Sequence, residues 1–592
     1  MKNLLIALSC LAVMSCSKQP ESAPTPQAQS MGNLLESYYE DYLILNPLEA
    51  TQIDDKRYNN ILLNDISEAH RSKVASFCKQ YQDSLQNYDR AALSTQDQLS
   101  YDILQFELAL KTDLLKYPEN LMPVQQFWGM TLTMPQLGSG KSYVTFKTVD
   151  DYEDFLGRID GFTVWMDTAI VNMRKGLARG TTFPKILMER VLPQAKAMMV
   201  SDVKQSVFWG PIADMPATIG EKEKGELTTA YTDAIKTKIV PAYTKLYNFL
   251  KDEYIPKTRT TSGVGEIPNG KEYYQLMIKQ YTTTELSPDS IFNLGKAEVA
   301  RITREMEAVK EQVSFKGDLK AFFAYVNNDK KFMPYKTAQE VIDAYKAIET
   351  KIEPNLKKMF NMVPRSKFEV RQTEKFREAS ASAEYNLGSP DGVRPGIFYV
   401  PVPDPKTYNN AGMETLFLHE AIPGHHYQCM LQLENTELPR FRRTLGYSAY
   451  GEGWALYTES LGKELGLYTD PIQYFGHLGD EMHRAIRLVV DVGMHVKGWT
   501  REEAIKYMME NEPIAEQGAI AEIERYMAIP GQALSYKIGQ LKISELRVRA
   551  EKELGDKFDL GLFHDEVLKY GNLPLSILDT RIKQWIEERK KV

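Results

Sequence analysis

Residues 414–459 carry the groups from which chemistry could be built. The first run is Glu414-Thr-Leu-Phe-Leu-His419-Glu420-Ala-Ile-Pro423-Gly424-His425-His426-Tyr-Gln428, and after a loop comes Gly451-Glu452-Gly453-Trp454-Ala-Leu-Tyr457-Thr-Glu459. A hydrolytic zinc site draws on neutral imidazoles, a carboxylate and one position left open for water. A carboxylate beside it can take the proton of that water. The His419-Glu420 pair closes an apolar turn, two histidines follow closely, and an acidic segment comes soon after. The plainer reading is a run of polar residues at a helix end. Against it, these groups are embedded among Leu416, Phe417, Leu418, Trp454, Ala455 and Leu456, where polar side chains without partners are costly.

The familiar zinc-peptidase spacing, H-E-x-x-H, works because residues four apart share one helix face. Here Pro423 stands where the second histidine would fall, and the next histidines come six and seven residues after His419. On a straight helix His425 would face another way. His426 would face correctly but lie roughly 10 Å further along, at about 1.5 Å per residue. Neither could share a metal with His419 without a distortion. Pro423-Gly424 supplies a cause, because proline removes a backbone bond and crowds the preceding turn, while glycine tolerates unusual dihedrals. The expectation is a local bulge that returns His425 to the metal.

The elements that must position these groups read mostly as helices. Leu34, Leu35, Tyr38 and Tyr39 fall at helical spacing, as do Ile103, Phe106 and Leu110. Helices are expected near 148–175, 185–206, 225–252, 271–280 and 337–360. Ser287-Pro288-Asp289 provides a cap and a first-turn proline for a helix running to about 313. Residues 366–402 change character. Lys367-Phe-Glu-Val-Arg371 alternates like a strand. Pro395-Gly396-Ile397-Phe398-Tyr399-Val400-Pro401-Val402 reads as a second, with Pro401 pointing to a sheet edge. An edge strand just before a metal-binding helix could pair with an extended peptide, making Tyr399 a candidate substrate contact. A purely structural strand is the plainer reading.

The chain has 592 residues, 43% of them hydrophobic, enough for a substantial core. Its net charge of −7 argues against nucleic acid as the partner. Lys2, the apolar run from Leu4 to Met14 and Ser15-Cys16 form a short secretory signal, too short to span a bilayer. Val13-Met14-Ser15-Cys16 resembles a bacterial lipobox, which would make Cys16 a lipidated N-terminus and place the protein in the bacterial cell envelope, anchored to a membrane. Residues 1–16 are thus a lipoprotein signal and 17–31 a disordered tether. The glycine-rich stretch at 257–270 marks a boundary between an N-terminal helical region, 32–265, and a catalytic region, 266–592. Cys78 and Cys429 could pair, but nothing in the sequence brings them together, and Cys429 reads as a buried thiol.

The motif His-Glu-Ala-Ile-Pro-Gly-His-His-Tyr-Gln, followed by Gly-Glu-Gly-Trp-Ala-Leu-Tyr-Thr-Glu, resembles the bacterial family known as domain of unknown function 885, grouped with zincin-like peptidases of the gluzincin type. The family pattern H-E-x-x-P-G-H-x-x-Q falls on His419, Glu420, Pro423, Gly424, His425 and Gln428. The resemblance runs from Gly270-Lys-Glu-Tyr273-Tyr274 through Ser389-Pro-Asp391-Gly-Val-Arg394-Pro-Gly-Ile-Phe-Tyr399 to Pro530-Gly-Gln-Ala-Leu-Ser-Tyr536-Lys537. It implies a mainly α fold with a small β-sheet, zincin-like, in which the helical N-terminal region walls the active-site cleft. It also implies one zinc ion held by His419, His425 and Glu452, with Glu420 as general base and later proton donor. His426 stays open as a ligand in place of His425, a donor behind the metal or a substrate contact. Glu459, seven residues after Glu452, either supports a ligand or is an exposed carboxylate.

Asp480, Arg484, Arg487, Asp491 and His495 make one polar stripe on a helix over 480–496. It is either a solvated face, with Arg484 or Arg487 paired to Asp491, or a cavity wall whose arginines hold a substrate carboxylate. Zinc peptidases often use a tyrosine to stabilise the oxyanion, and Tyr536, with Arg525 and Tyr526 behind it, is the candidate. The expected activity is zinc-dependent hydrolysis of short peptides or related amide bonds. The alternative is a non-catalytic envelope lipoprotein that binds peptides around a metal. Glu420 weighs against the latter, since a structural zinc takes four protein ligands and needs no adjacent base.

Overall fold

The computed structural model describes residues 30–375, 378 and 381–591. The leader, Cys16 and nearly all of the expected tether lie outside them. The tether's last two residues are already part of the fold: Ser30 caps the first helix, Met31–Leu45, and Met31 is buried.

The described chain is mainly helical. The long helices begin and end where local chemistry dictates. Thr148 and Asp151 form a reciprocal capping box at the start of Val149–Arg179, and Gly180 ends it in the left-handed conformation. Ser287 caps Pro288–Gln312, with Pro288 in the first turn, as its sequence specifies. The helix expected over 225–252 runs instead from Glu221 to Tyr254, passing through two π-helical turns. Three strands, β1 (Phe368–Gln372), β2 (Glu384–Asn386) and β3 (Gly396–Val400), form one sheet in the order β1-β3-β2. β1 pairs parallel and β2 antiparallel to β3. The strand expected at the edge is therefore central. Pro401 lies just past the end of β3, where its missing N–H breaks no ladder bond.

Two apolar cores organise the molecule, and both draw on residues before and after 265. One joins the helices Met31–Leu45, Glu68–Leu85 and Thr95–Leu114 to the sheet, the 413–420 helix and the C-terminal helices. The other joins Val149–Arg179 and the 221–254 rod to Pro288–Gln312 and Pro471–His495. The glycine-rich stretch at 257–270 is no free linker. Val264 N–H donates to His495 Nδ1 at 2.9 Å, and a Cβ on Gly263 would lie 1.9 Å from the Met494 carbonyl oxygen. Glycine serves close approach here, not flexibility.

Candidate metal centre

The chain reaches the centre through a break rather than a bulge. One helix, Met413–Glu420, ends at the His-Glu pair, and another, His425–Glu434, starts at the second histidine. Between them the backbone folds back so closely that a Cβ on Gly424 would lie 2.0 Å from the His419 carbonyl oxygen. Only glycine fits. Helix Ser448–Ser460 secures the break by satisfying two carbonyls there: Thr458 Oγ1 donates to Leu418 O at 3.0 Å, and Trp454 Nε1 to Pro423 O at 2.9 Å. The same helix presents Glu452. The expected bulge is thus a full interruption, because Pro423 and Gly424 together end one helix and let the next begin at a new angle.

His419, His425 and Glu452 converge, with their ligand atoms all within 4.8 Å of one another. Glu452 Oε2 stands 3.6 Å from His419 Nε2 and 3.7 Å from His425 Nε2. Donors around one tetrahedral zinc at about 2.0–2.2 Å lie roughly 3.3–3.5 Å apart, so little adjustment is needed. His419 Nδ1 hydrogen-bonds Glu459 Oε1 at 2.7 Å, which leaves Nε2 facing the cluster. Glu459 is buried, and its other oxygen lies 3.6 Å from His477 Nδ1. This is the carboxylate–histidine arrangement that fixes a ligand's tautomer and orientation. Two imidazoles, one carboxylate and an oriented Nε2 fit zinc in both type and spacing.

The electrostatics separate the members of the cluster. Burial alone would favour the neutral His419 ring, but the carboxylates of Glu452 and Glu459 beside its two nitrogens carry its pKa up to about 10. Burial holds His425 down to about 4, so it stays neutral as a ligand must. Glu452 is half-buried, and desolvation opposes its ionisation, yet the His419 contact and the electrostatic pull of the two rings and Arg484 hold it down to about 2. Glu459 is depressed further against its burial by the hydrogen bond with His419 and by His477 beside its other oxygen. Glu420 differs. Burial raises it to about 7, with Glu452 adding to the rise, while His419, Arg484 and a backbone hydrogen bond from Tyr385 oppose it. A carboxyl poised near neutrality can accept and return a proton.

The other expected residues are scattered. His426 is buried and turns away from the cluster to share a 2.7 Å hydrogen bond with the Tyr385 hydroxyl on β2, so His425 is the histidine that joins His419. Tyr399 stands in register with Arg371 and Glu384, hydrogen-bonded to Arg371. It lies on the sheet face opposite Phe398, which packs on Tyr345, and so is not brought to the cluster. Helix Pro471–His495 is buried along most of its length, not a solvated face. Neither arginine pairs with Asp491, which accepts from the Tyr274 hydroxyl at 2.5 Å and from Gly531 N–H at 3.1 Å. Arg484 pairs with Asp480, while Arg487 pairs with Glu522 and bonds the Tyr526 hydroxyl. Tyr536 is half-buried under the Arg487 guanidinium, 4.6 Å from it. Glu414, first in the motif, is not a ligand: it accepts from Lys351 Nζ and Tyr468 N–H. Cys78 and Cys429 are both free thiols. Tyr385 and His477 escaped the sequence reading. β2 is only three residues long, too short to show a period, and His477 lies in a different helix from the carboxylate it supports.

A mainly helical protein with a three-stranded mixed sheet and a His-His-Glu cluster is the class that fold and site define. The family of bacterial proteins of unknown function, DUF885, matches residues 47–582, and the chain belongs to it. Among solved structures, a candidate lipoprotein of Colwellia psychrerythraea is similar at 29% identity and a TM-score of 0.83, covering 94% of this chain and 99% of that one. A candidate lipoprotein of unknown function from Shewanella oneidensis shares the fold at 20% identity and a TM-score of 0.75, over 93% and 99% of the two chains. No curated protein matches the chain significantly.

Proposed function

We propose that the protein is a zinc-dependent hydrolase of peptide or related amide bonds, acting on short peptides in the bacterial cell envelope, where a lipid on Cys16 anchors it. The observation that carries this reading is that the cluster has three ligands, His419, His425 and Glu452, with a half-buried carboxyl, Glu420, beside them. Three ligands leave a position for reactants, whereas structural zinc sites are closed by a fourth. The anchor is supported by the Val13-Met14-Ser15-Cys16 motif and by similarity to the two candidate lipoproteins. No helix among the described residues is long and apolar enough to cross a membrane.

His419, His425 and Glu452 would hold the ion. Zinc bound there would supply Lewis acidity. Glu420 takes the proton released as the nucleophile attacks the amide carbon, then delivers it to the departing amine. Glu459 and His477 keep His419 oriented throughout. The edge of β2 beside Glu420 suits an extended peptide backbone, so the strand that serves this purpose is β2 and not β3. A lipoprotein that binds peptides around a metal without cleaving them has no use for Glu420 at this position.

The test is hydrolysis of a mixed short-peptide library by zinc-loaded protein, read by mass spectrometry, beside Glu420→Gln. Cleavage that falls by about 10³-fold or more in the variant with zinc retained supports the reading. Zinc bound without cleavage of any peptide or amide overturns it in favour of a binding protein.

A further inference from the structure

The two arginines of the polar stripe stand on successive turns of Pro471–His495, but their surroundings differ. Arg487 is fully engaged. Its Nε donates to the Tyr526 hydroxyl at 2.8 Å, its Nη2 reaches His483 Nε2 at 3.0 Å and Glu522 at 3.3 Å, and its guanidinium covers the Tyr536 ring. Arg484 is held on one side only. Its Nη1 donates to the carbonyl oxygen and Oδ1 of Asp480 at 3.1 and 2.9 Å. Its Nε is buried without a hydrogen-bond partner among the described residues. The side chain keeps 18% of its surface exposed.

Arg484 bonds through Nη1 alone, which leaves Nη2 to take a carboxylate through a charge-assisted N–H···O bond. The side chain lies close to the metal cluster: His477, two turns earlier on the same face of this helix, stands 3.6 Å from Glu459, and the Arg484 charge acts on Glu420, Glu452 and Glu459. Asp480 holds the guanidinium in place through Nη1.

We infer that Arg484 anchors the substrate by pairing its Nη2 with a carboxylate near the scissile amide, so that the recognised feature is the free C-terminus of a short peptide. This rests on the peptidase reading and gives it a direction, cleavage at the carboxyl end. Arg487 takes no part in that pairing; it positions Tyr536.

The experiment uses one N-blocked tripeptide as the free acid, as its C-terminal amide, and as the amide with glutamate at the last residue. Zinc-loaded protein should hydrolyse the free acid with a kcat/KM roughly tenfold to a hundredfold above the plain amide, the range expected for a charged hydrogen bond. Arg484→Gln should abolish the preference mainly through KM, and Arg484→Lys should keep part of it, with melting temperatures confirming that both fold. Equal rates on acid and amide, or a preference that survives in Arg484→Gln, overturn the inference. A glutamate amide that matches the free acid places the carboxylate on a side chain and overturns the C-terminal assignment. If none of the three is cleaved, the mixed-library experiment decides the peptidase reading separately. Calorimetric titration of the acid and the amide into zinc-loaded Glu420→Gln protein then decides the anchor alone: tighter binding of the acid that is lost with Arg484→Gln supports it, and equal binding overturns it.

Discussion

Two histidine–carboxylate clusters among the described residues make a contrast, and only the one at His419 has the makings of a reaction centre. At His483 both ring nitrogens are occupied: Nδ1 meets Glu512 at 2.8 Å, and Nε2 meets Arg487 at 3.0 Å. At His419 one nitrogen is occupied by Glu459, while the other, with His425 Nε2, faces Glu452 at 3.6–3.7 Å, beyond hydrogen-bond length. Both clusters contain the residue types that bind metals. What separates them is convergence of donors without partners, and this comes from the backbone break at Pro423-Gly424 rather than from composition. The two arginines one turn apart repeat the contrast, Arg487 closed and Arg484 open.

Substitutions can break or sharpen this comparison. His483→Ala should cost about 3 kcal/mol of stability, because it leaves the largely buried Glu512 without its partner. Chemical denaturation should show that loss while zinc content stays unchanged. Glu459→Ala should act the opposite way, leaving the fold in place and weakening zinc affinity by roughly tenfold to a hundredfold, measured by competition with a chelator. The smallest effect is expected at Asp491. Burial carries its pKa up to about 7, although Tyr274 and Gly531 oppose the rise. Because the folded value lies above the unfolded one of about 3.9, the folded state holds the proton more tightly, and stability is lost as pH rises between about 4 and 7. Asp491→Asn removes that titration. Its melting temperature relative to wild type should therefore climb across this window, and a flat difference would show that Asp491 does not titrate there.

Several features were legible because they depend on neighbours in sequence. The cap and proline at Ser287-Pro288 start their helix as read, and the apolar setting of His419 and Glu452 marks both as polar groups in need of a partner. The choice of His425 over His426 rested on family resemblance, since spacing on a regular helix disfavours both and only the path through Gly424 decides. The close packing of glycines at 257–270 was not legible, because the same residue serves flexible linkers and tight approach. Proline misled at 401, because its effect on pairing depends on whether it falls inside the strand or one residue beyond. The polar stripe on Pro471–His495 could not be resolved from sequence, since its partners, Tyr274, Glu522 and Tyr526, come from two other helices.

The central claim is that His419, His425 and Glu452 hold one zinc ion while His426 does not. Zinc per chain, measured by elemental analysis on wild type, His425→Ala and His426→Ala side by side, tests it most directly. The expected result is about one ion in wild type, almost none in His425→Ala and about one in His426→Ala. No zinc in wild type, or loss in His426→Ala with retention in His425→Ala, would contradict it.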